Sequence, residues 1–119
     1  MDKLIFIVDD TDSILAFAAS LLEDDYLVLT MPGAEKMFTL LTKKRPDLIL
    51  LDIEMPDMDG FEAIAALKEN NAWCDIPVVF ITGFIDEAVK ERCTKAGALA
   101  VIGKSDIETT LLSNVKELI

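Results

Sequence analysis

The stretch LDIEMPDMDGFEAI, residues 51–64, decides the fold. It closes an apolar run, Leu48-Ile49-Leu50-Leu51, on a single carboxylate, Asp52. A short, unbroken apolar run is what a strand covered on both faces requires, and here it delivers one acid to the strand's carboxyl end. Pro56 and Gly60 then punctuate a loop before helical spacing begins.

Three other segments repeat the design. Leu4-Ile5-Phe6-Ile7-Val8 runs into Asp9-Asp10, Ile76-Pro77-Val78-Val79-Phe80-Ile81 into Thr82, and Leu99-Ala100-Val101-Ile102-Gly103 into Lys104. Helical patterns separate them. Ile14, Leu15, Ala18, Leu21 and Leu22 share a face and predict a helix over residues 12–24, with Asp12 and Ser13 as cap candidates. Tyr26 to Met31 reads as a strand, Pro32-Gly33 as a turn, and Met37, Phe38, Leu40 and Leu41 as a second helix ending before Pro46.

Asp59 and Glu62 form a capping-box pattern for a third helix with Phe61, Ile64, Ala65 and Leu67 inward and an end near Asn70-Asn71. Asp86 is placed to cap a fourth, with Val89, Cys93 and Ala96 inward and Gly97 as its stop. Ser105-Asp106-Ile107-Glu108 is a second capping-box pattern, opening a last helix with Ile107, Leu111, Leu112, Val115 and Leu118 inward.

Five strand-helix units predict an α/β fold: a five-stranded, doubly wound parallel sheet of the flavodoxin-like kind. Ligands of such sheets bind outside the carboxyl ends of the strands, so Asp9, Asp10, Asp52, Thr82 and Lys104 should converge. Asp9-Asp10 alone would read as a helix-start charge pair; its placement equivalent to Asp52 and Lys104 favours a metal site. Lys104 opposes the dipole of the last helix, and a carboxylate or phosphoryl partner would explain it.

At 119 residues with 52% apolar content, the chain fits one domain, residues 1–119, either free-standing or the front of a longer protein. Its net charge of −11 argues against direct nucleic-acid binding, which relies on Lys and Arg neutralising phosphates. No apolar run approaches the roughly 18 residues of a membrane span, and Met1-Asp2-Lys3 leads straight into a strand without a signal-peptide pattern. A soluble, cytoplasmic chain without membrane contact is expected. Cys74 and Cys93 form no CxxC pair and there is no histidine, which disfavours zinc and redox chemistry.

Clustered carboxylates repel unless a cation holds them, and an all-oxygen set suits Mg²⁺, with Mn²⁺ as the alternative. Asp9, Asp10, Asp52 and a backbone carbonyl beyond Asp52, that of Glu54, are the candidate ligands. Asp57, Asp59 and Gly60 touch an EF-hand pattern, but the register would put Met55 and Ala66 at its first and last ligand positions, so calcium is rejected.

The acidic pair, DIEMPDMDG, Thr82-Gly83 and Ala96-Gly97-Ala98 followed by Lys104 together resemble the receiver domain of two-component response regulators, the CheY-like family. The resemblance spans essentially the whole chain. It implies an Mg²⁺-dependent phosphoacceptor at Asp52, served by a sensor histidine kinase or phosphotransfer protein, and not a multiple-turnover enzyme. It further implies Asp9 and Asp10 as chief metal ligands, Thr82, Gly83 and Lys104 around the phosphoryl group, and a face of helix four, strand five and helix five that an effector or a second copy reads. Glu54 and Phe84 match variable site-flanking positions, and Phe84 is placed to shield an acyl phosphate from water.

Two positions depart from the family. Receivers place a proline after the active-site lysine, across a cis bond; here it is Ser105, and a cis bond before a non-proline costs roughly 3 kcal/mol, so the loop should be trans or strained. The usual aromatic three residues before that lysine is Val101, which puts switch coupling through a ring in doubt. These departures motivate one rival, a degenerate receiver that signals without phosphorylation. A haloacid-dehalogenase-like phosphohydrolase would place its nucleophile first in motif order, and a flavodoxin would carry a hydroxyl- and glycine-rich first turn where this chain has Asp-Asp-Thr-Asp.

Overall fold

Strands β1 (Leu4–Val8), β2 (Leu27–Met31), β3 (Leu48–Asp52), β4 (Val78–Thr82) and β5 (Ala100–Gly103) form one parallel sheet in the order β2-β1-β3-β4-β5. Helices α1 (Asp12–Leu22), α2 (Ala34–Leu41), α3 (Gly60–Glu69), α4 (Glu87–Ala96) and α5 (Ile107–Leu118) alternate with them. This computed structural model describes residues 2–119; Met1 lies outside the described residues.

Successive side chains of a strand point to opposite faces, so the inner runs must be apolar throughout. Phe6, Val8, Ile49, Leu51, Val78 and Phe80 enter one core, which α2, α3 and α4 cover. Ile5, Ile7, Leu48, Leu50, Val79 and Ile81 enter the other, which α1 and α5 cover. This is the expected doubly wound fold, and the β1/β3 boundary, where connections leave for opposite faces, is its switch point. No helix among the described residues is long and apolar enough to cross a membrane.

Several local expectations hold. Asp59 accepts from the Glu62 amide at 2.8 Å while the Glu62 carboxylate accepts from the Asp59 amide at 3.1 Å. Asp86 accepts from the Val89 amide at 2.8 Å, and Gly97 ends α4 with φ of 97°, a conformation that glycine adopts without strain. Others are corrected. The first helix is capped by neither Asp12 nor Ser13: Thr11 is its boundary residue, and the Asp9 side chain takes the Thr11 amide instead.

Ser105 does not cap α5, because Lys104–Asp106 form a 3-10 turn, and a residue inside such a turn lacks the extended backbone a capping serine needs. Asp106 is the boundary residue and its side chain makes no capping bond. On α3 the buried face is Gly60, Ala63, Ile64 and Leu67, while Ala65 is exposed. Two neighbouring alanines carry little information about orientation.

Gly60 closes the loop after β3. Its amide donates to the Ile53 carbonyl at 2.7 Å, and an added Cβ would lie 2.6 Å from the Asp52 carbonyl oxygen and 2.9 Å from the Phe80 ring. Gly60→Ala must displace backbone directly beneath Asp52. Overpacking of that kind costs about 3 kcal/mol, and urea unfolding should show a lowered midpoint at unchanged slope.

Candidate functional site

Register brings the acids together. Val8 pairs with Leu51, so the next residues, Asp9 and Asp52, stand level at the carboxyl ends of adjacent strands and leave the sheet with the same parity. Two strands away Gly103 pairs with Thr82, and Lys104 follows it. The Lys104 Nζ reaches back to lie 3.1 Å from Asp9 Oδ2 and 3.3 Å from Asp52 Oδ1. Both acids are buried, whereas the Lys104 side chain keeps 23% exposure, so the triad opens to solvent on the lysine side.

The remaining lone pairs are informative. Asp9 Oδ1 accepts from the Thr11 amide at 2.8 Å and Asp52 Oδ1 from the Glu54 amide at 3.3 Å. Asp52 Oδ2 accepts no hydrogen bond, and Asp9 Oδ2 has Lys104 as a charge neighbour but no aligned donor. Buried acceptors are normally satisfied. Exposed Asp10 adds a third carboxylate, and one oxygen from each of Asp9, Asp10 and Asp52 lies within 4.8 Å of the others. Unsatisfied buried carboxylate oxygens in an all-oxygen cluster fit a hard divalent cation.

Charge at the site is finely set. Burial, then repulsion from Asp9, pushes Asp52 up to about 6, against the pull of Lys104 and the Glu54 amide. Burial alone would lower Lys104; its close approach to Asp9 and the charges of Asp52 and Asp9 outweigh that and raise it. A partly desolvated acid opposed by one cation is the arrangement found where carboxylates are tuned for chemistry.

The family model for the response regulator receiver domain matches residues 5–116. The chain belongs to that family. As a receiver it is 31% identical over 105 residues to the polar-differentiation response regulator DivK of Brucella anthropi, covering 87% of this chain and 85% of DivK. It is 37% identical over 114 residues to the heme response regulator HssR of Staphylococcus aureus, covering 95% of this chain. The receiver spans only 46% of HssR. The solved chemotaxis protein CheY4 of Vibrio cholerae superposes with a TM-score of 0.92 at 26% identity, over 100% of both chains.

Of the other expected positions of this receiver, Glu54 meets the triad through its amide, and Thr82 bonds to its own loop instead. Thr82 is buried, and its hydroxyl both donates to the Phe84 carbonyl and accepts from the Phe84 amide, each at 3.3 Å, so it is engaged by its own loop. Gly83 is exposed, and an added Cβ would meet nothing within 4 Å, so the approach there is open. Val101 lies in β5 opposite Phe80 and packs on the α2-α3-α4 side, away from the carboxylates. All peptide bonds among the described residues are trans, including Lys104-Ser105.

Asp10, Glu54, Thr82 and Phe84 line an open cleft of about 640 Å³ beside the triad, whose own three residues do not line it. One of its walls went unread in the sequence: Arg92 of α4, whose guanidinium carbon lies 3.9 Å from the centre of the Phe61 ring. Arg92 follows Val89 by three residues, which puts it on the same helix face as a residue already read as inward.

Proposed function

We propose that this receiver is an Mg²⁺-dependent phosphoacceptor, with Mn²⁺ as the alternative ion, in which Asp52 takes a phosphoryl group from phosphohistidine on a sensor kinase or phosphotransfer protein. The observation that carries this reading is the Asp52 carboxylate itself: buried at the end of β3, level with Asp9, and held 3.3 Å from Lys104. An Asp52 oxygen forms the bond to phosphorus, and the bond from phosphorus to the donor nitrogen breaks with its electron pair left on the imidazole.

Phosphoryl transfer demands positioning and charge stabilisation more than covalent assistance. Asp9, Asp10 and Asp52, with the Glu54 carbonyl, hold the cation, which when bound neutralises charge on the phosphoryl oxygens. Lys104 is already at the site and pairs with one of those oxygens. Thr82 leaves its long, weak bonds to the Phe84 backbone and donates to a second, while Gly83 keeps the entry clear and offers its amide.

Residues 1–119 act as one cytoplasmic receiver unit that is phosphorylated once per signal and does not turn over substrate. An effector, or a second copy of the chain, reads the α4-β5-α5 face. Val101 supplies no ring to that face, so the reorganisation of the β4-α4 loop around Thr82 and Phe84 carries the signal.

Intact mass after incubation with acetyl phosphate and Mg²⁺ tests this reading. One phosphoryl adduct, absent after chelation, is expected; no adduct would leave the degenerate receiver as the better description. Phe84, 62% exposed at the rim of the cleft, limits water's access to the acyl phosphate. Phe84→Ala should shorten the adduct's half-life about threefold, a barrier change below about 1 kcal/mol, and an unchanged or longer half-life would remove that role.

A further inference from the structure

We infer that Arg92 is a specificity determinant for the phosphoryl donor, a fixed cation that receives the carboxylate leaving group of a small acyl phosphate. The inference rests on the phosphoacceptor role of Asp52 proposed above. The cleft beside the site is far larger than a phosphoryl group, and among the described residues Arg92 is the one cation lining it, together with the acids Asp10, Glu54 and Asp59. A chain of net charge −11 repels anionic donors, so one cation at this mouth has a disproportionate effect on which donors enter.

The guanidinium is held in place and left free. It lies 3.9 Å over Phe61, whose ring packs 5.1 Å from that of buried Phe80, so the stack is anchored in the sheet. The lysines of the same helix are paired, Lys90 with Glu87 and Lys95 with Glu91, whereas no carboxylate among the described residues lies within 4.0 Å of the Arg92 head group. A guanidinium fork without an acid partner is matched in shape to a carboxylate.

Transfer proceeds with nucleophile and leaving group roughly in line on opposite sides of phosphorus. With Asp52 buried at the strand end, the leaving group departs outward, toward the neighbouring cleft that Asp10, Glu54 and Thr82 line. For an acyl phosphate, an Asp52 oxygen bonds to phosphorus, the bond from phosphorus to the acyl oxygen breaks, and that oxygen keeps the electron pair as a carboxylate; no proton moves. Arg92 is placed to pair with the charge that develops there. A nitrogen leaving group that is already protonated on nitrogen takes the electron pair of the bond to phosphorus and departs neutral, so it gains nothing from a guanidinium.

The test compares phosphorylation rates, read by intact mass in saturating Mg²⁺, for the parent chain, Arg92→Ala and Arg92→Lys with two donors, acetyl phosphate and phosphoramidate. Arg92→Ala should be slowed about tenfold with acetyl phosphate and stay within about twofold of the parent with phosphoramidate; Arg92→Lys, keeping the charge but not the fork, should fall between. Equal slowing with both donors would assign Arg92 a structural role, and no slowing with either would remove it from the reaction; both overturn the inference. A parent chain labelled by neither donor would instead overturn the phosphoacceptor reading itself.

Discussion

Asp52→Asn is expected to accept no phosphoryl group from any donor and yet, in metal-free buffer above pH 6, to fold more stably than the parent chain. The first effect is all-or-none, because the amide oxygen of asparagine is not a nucleophile for phosphorus at neutral pH. The second follows from the site's electrostatics. Burial and the neighbouring Asp9 raise Asp52 from 3.8 to about 6 in the folded chain. Between those values the native state binds a proton that the unfolded chain has released, so parental stability is complete below about pH 4 and declines as pH rises through about 6.

The interval of about two pH units is worth about 3 kcal/mol at most, and asparagine, uncharged and nearly the same size, escapes that penalty. Urea titrations at pH 4.5 and pH 7.5 with chelator present should therefore converge at the lower pH and separate at the higher one, with the variant ahead. Adding Mg²⁺ should reverse the order, since the parent gains binding free energy that the variant, short of one carboxylate, gains less of. A variant less stable than the parent at pH 7.5 without metal would mean that Lys104 more than compensates the buried charge.

The position of Asp52 is legible in the sequence because its signal is register-independent: a run of apolar residues long enough to be a buried strand can end in only one place. Four strands ending on polar groups then fixed the site, and the pairing of Val8 with Leu51 only made the meeting of Asp9 and Asp52 concrete. What escaped had a non-local cause. Arg92 acquires its position from Phe61 on another helix. Ser105-x-x-Glu108 has the composition of a capping box but lies in a 3-10 turn, and a pattern of residue types carries no information on that backbone choice.

The loop after β3 shows the same limit more sharply. Asp57 reads with Asp59 as a loop and cap acid of its own segment, but its carboxylate accepts from the Glu35 amide at 3.1 Å and so supplies the first turn of α2, whose own boundary residue Gly33 has no side chain to do it. A residue on one loop capping a helix 22 positions earlier leaves no periodic trace. The DIEMPDMDG segment thus serves three elements at once: β3 through Asp52, α2 through Asp57 and α3 through Asp59.

Lys104→Met is expected to cost about 2–3 kcal/mol at pH 7.5 without metal and to slow phosphorylation on the order of a hundredfold even when Mg²⁺ is saturating. Removing one partner of a buried ion pair leaves uncompensated charge, here two level carboxylates, and the discount from the larger values seen in closed interiors reflects the 23% exposure of the lysine side chain. The cost should be conditional. As pH falls below about 5, protonation of Asp52 relieves the repulsion and parent and variant should approach one another; Mg²⁺ should narrow the gap at pH 7.5 for the same reason, by placing a cation among the same oxygens. The rate should not recover, because Lys104 is a preorganised charge donor in its own right, and losing one such donor costs about 10²-fold or more in rate. Stability and rate are therefore separable at this one side chain. A gap that Mg²⁺ leaves untouched would argue that the ion does not engage Asp9 and Asp52, and a variant phosphorylated at the parental rate would confine Lys104 to offsetting the repulsion between the two carboxylates in the resting fold.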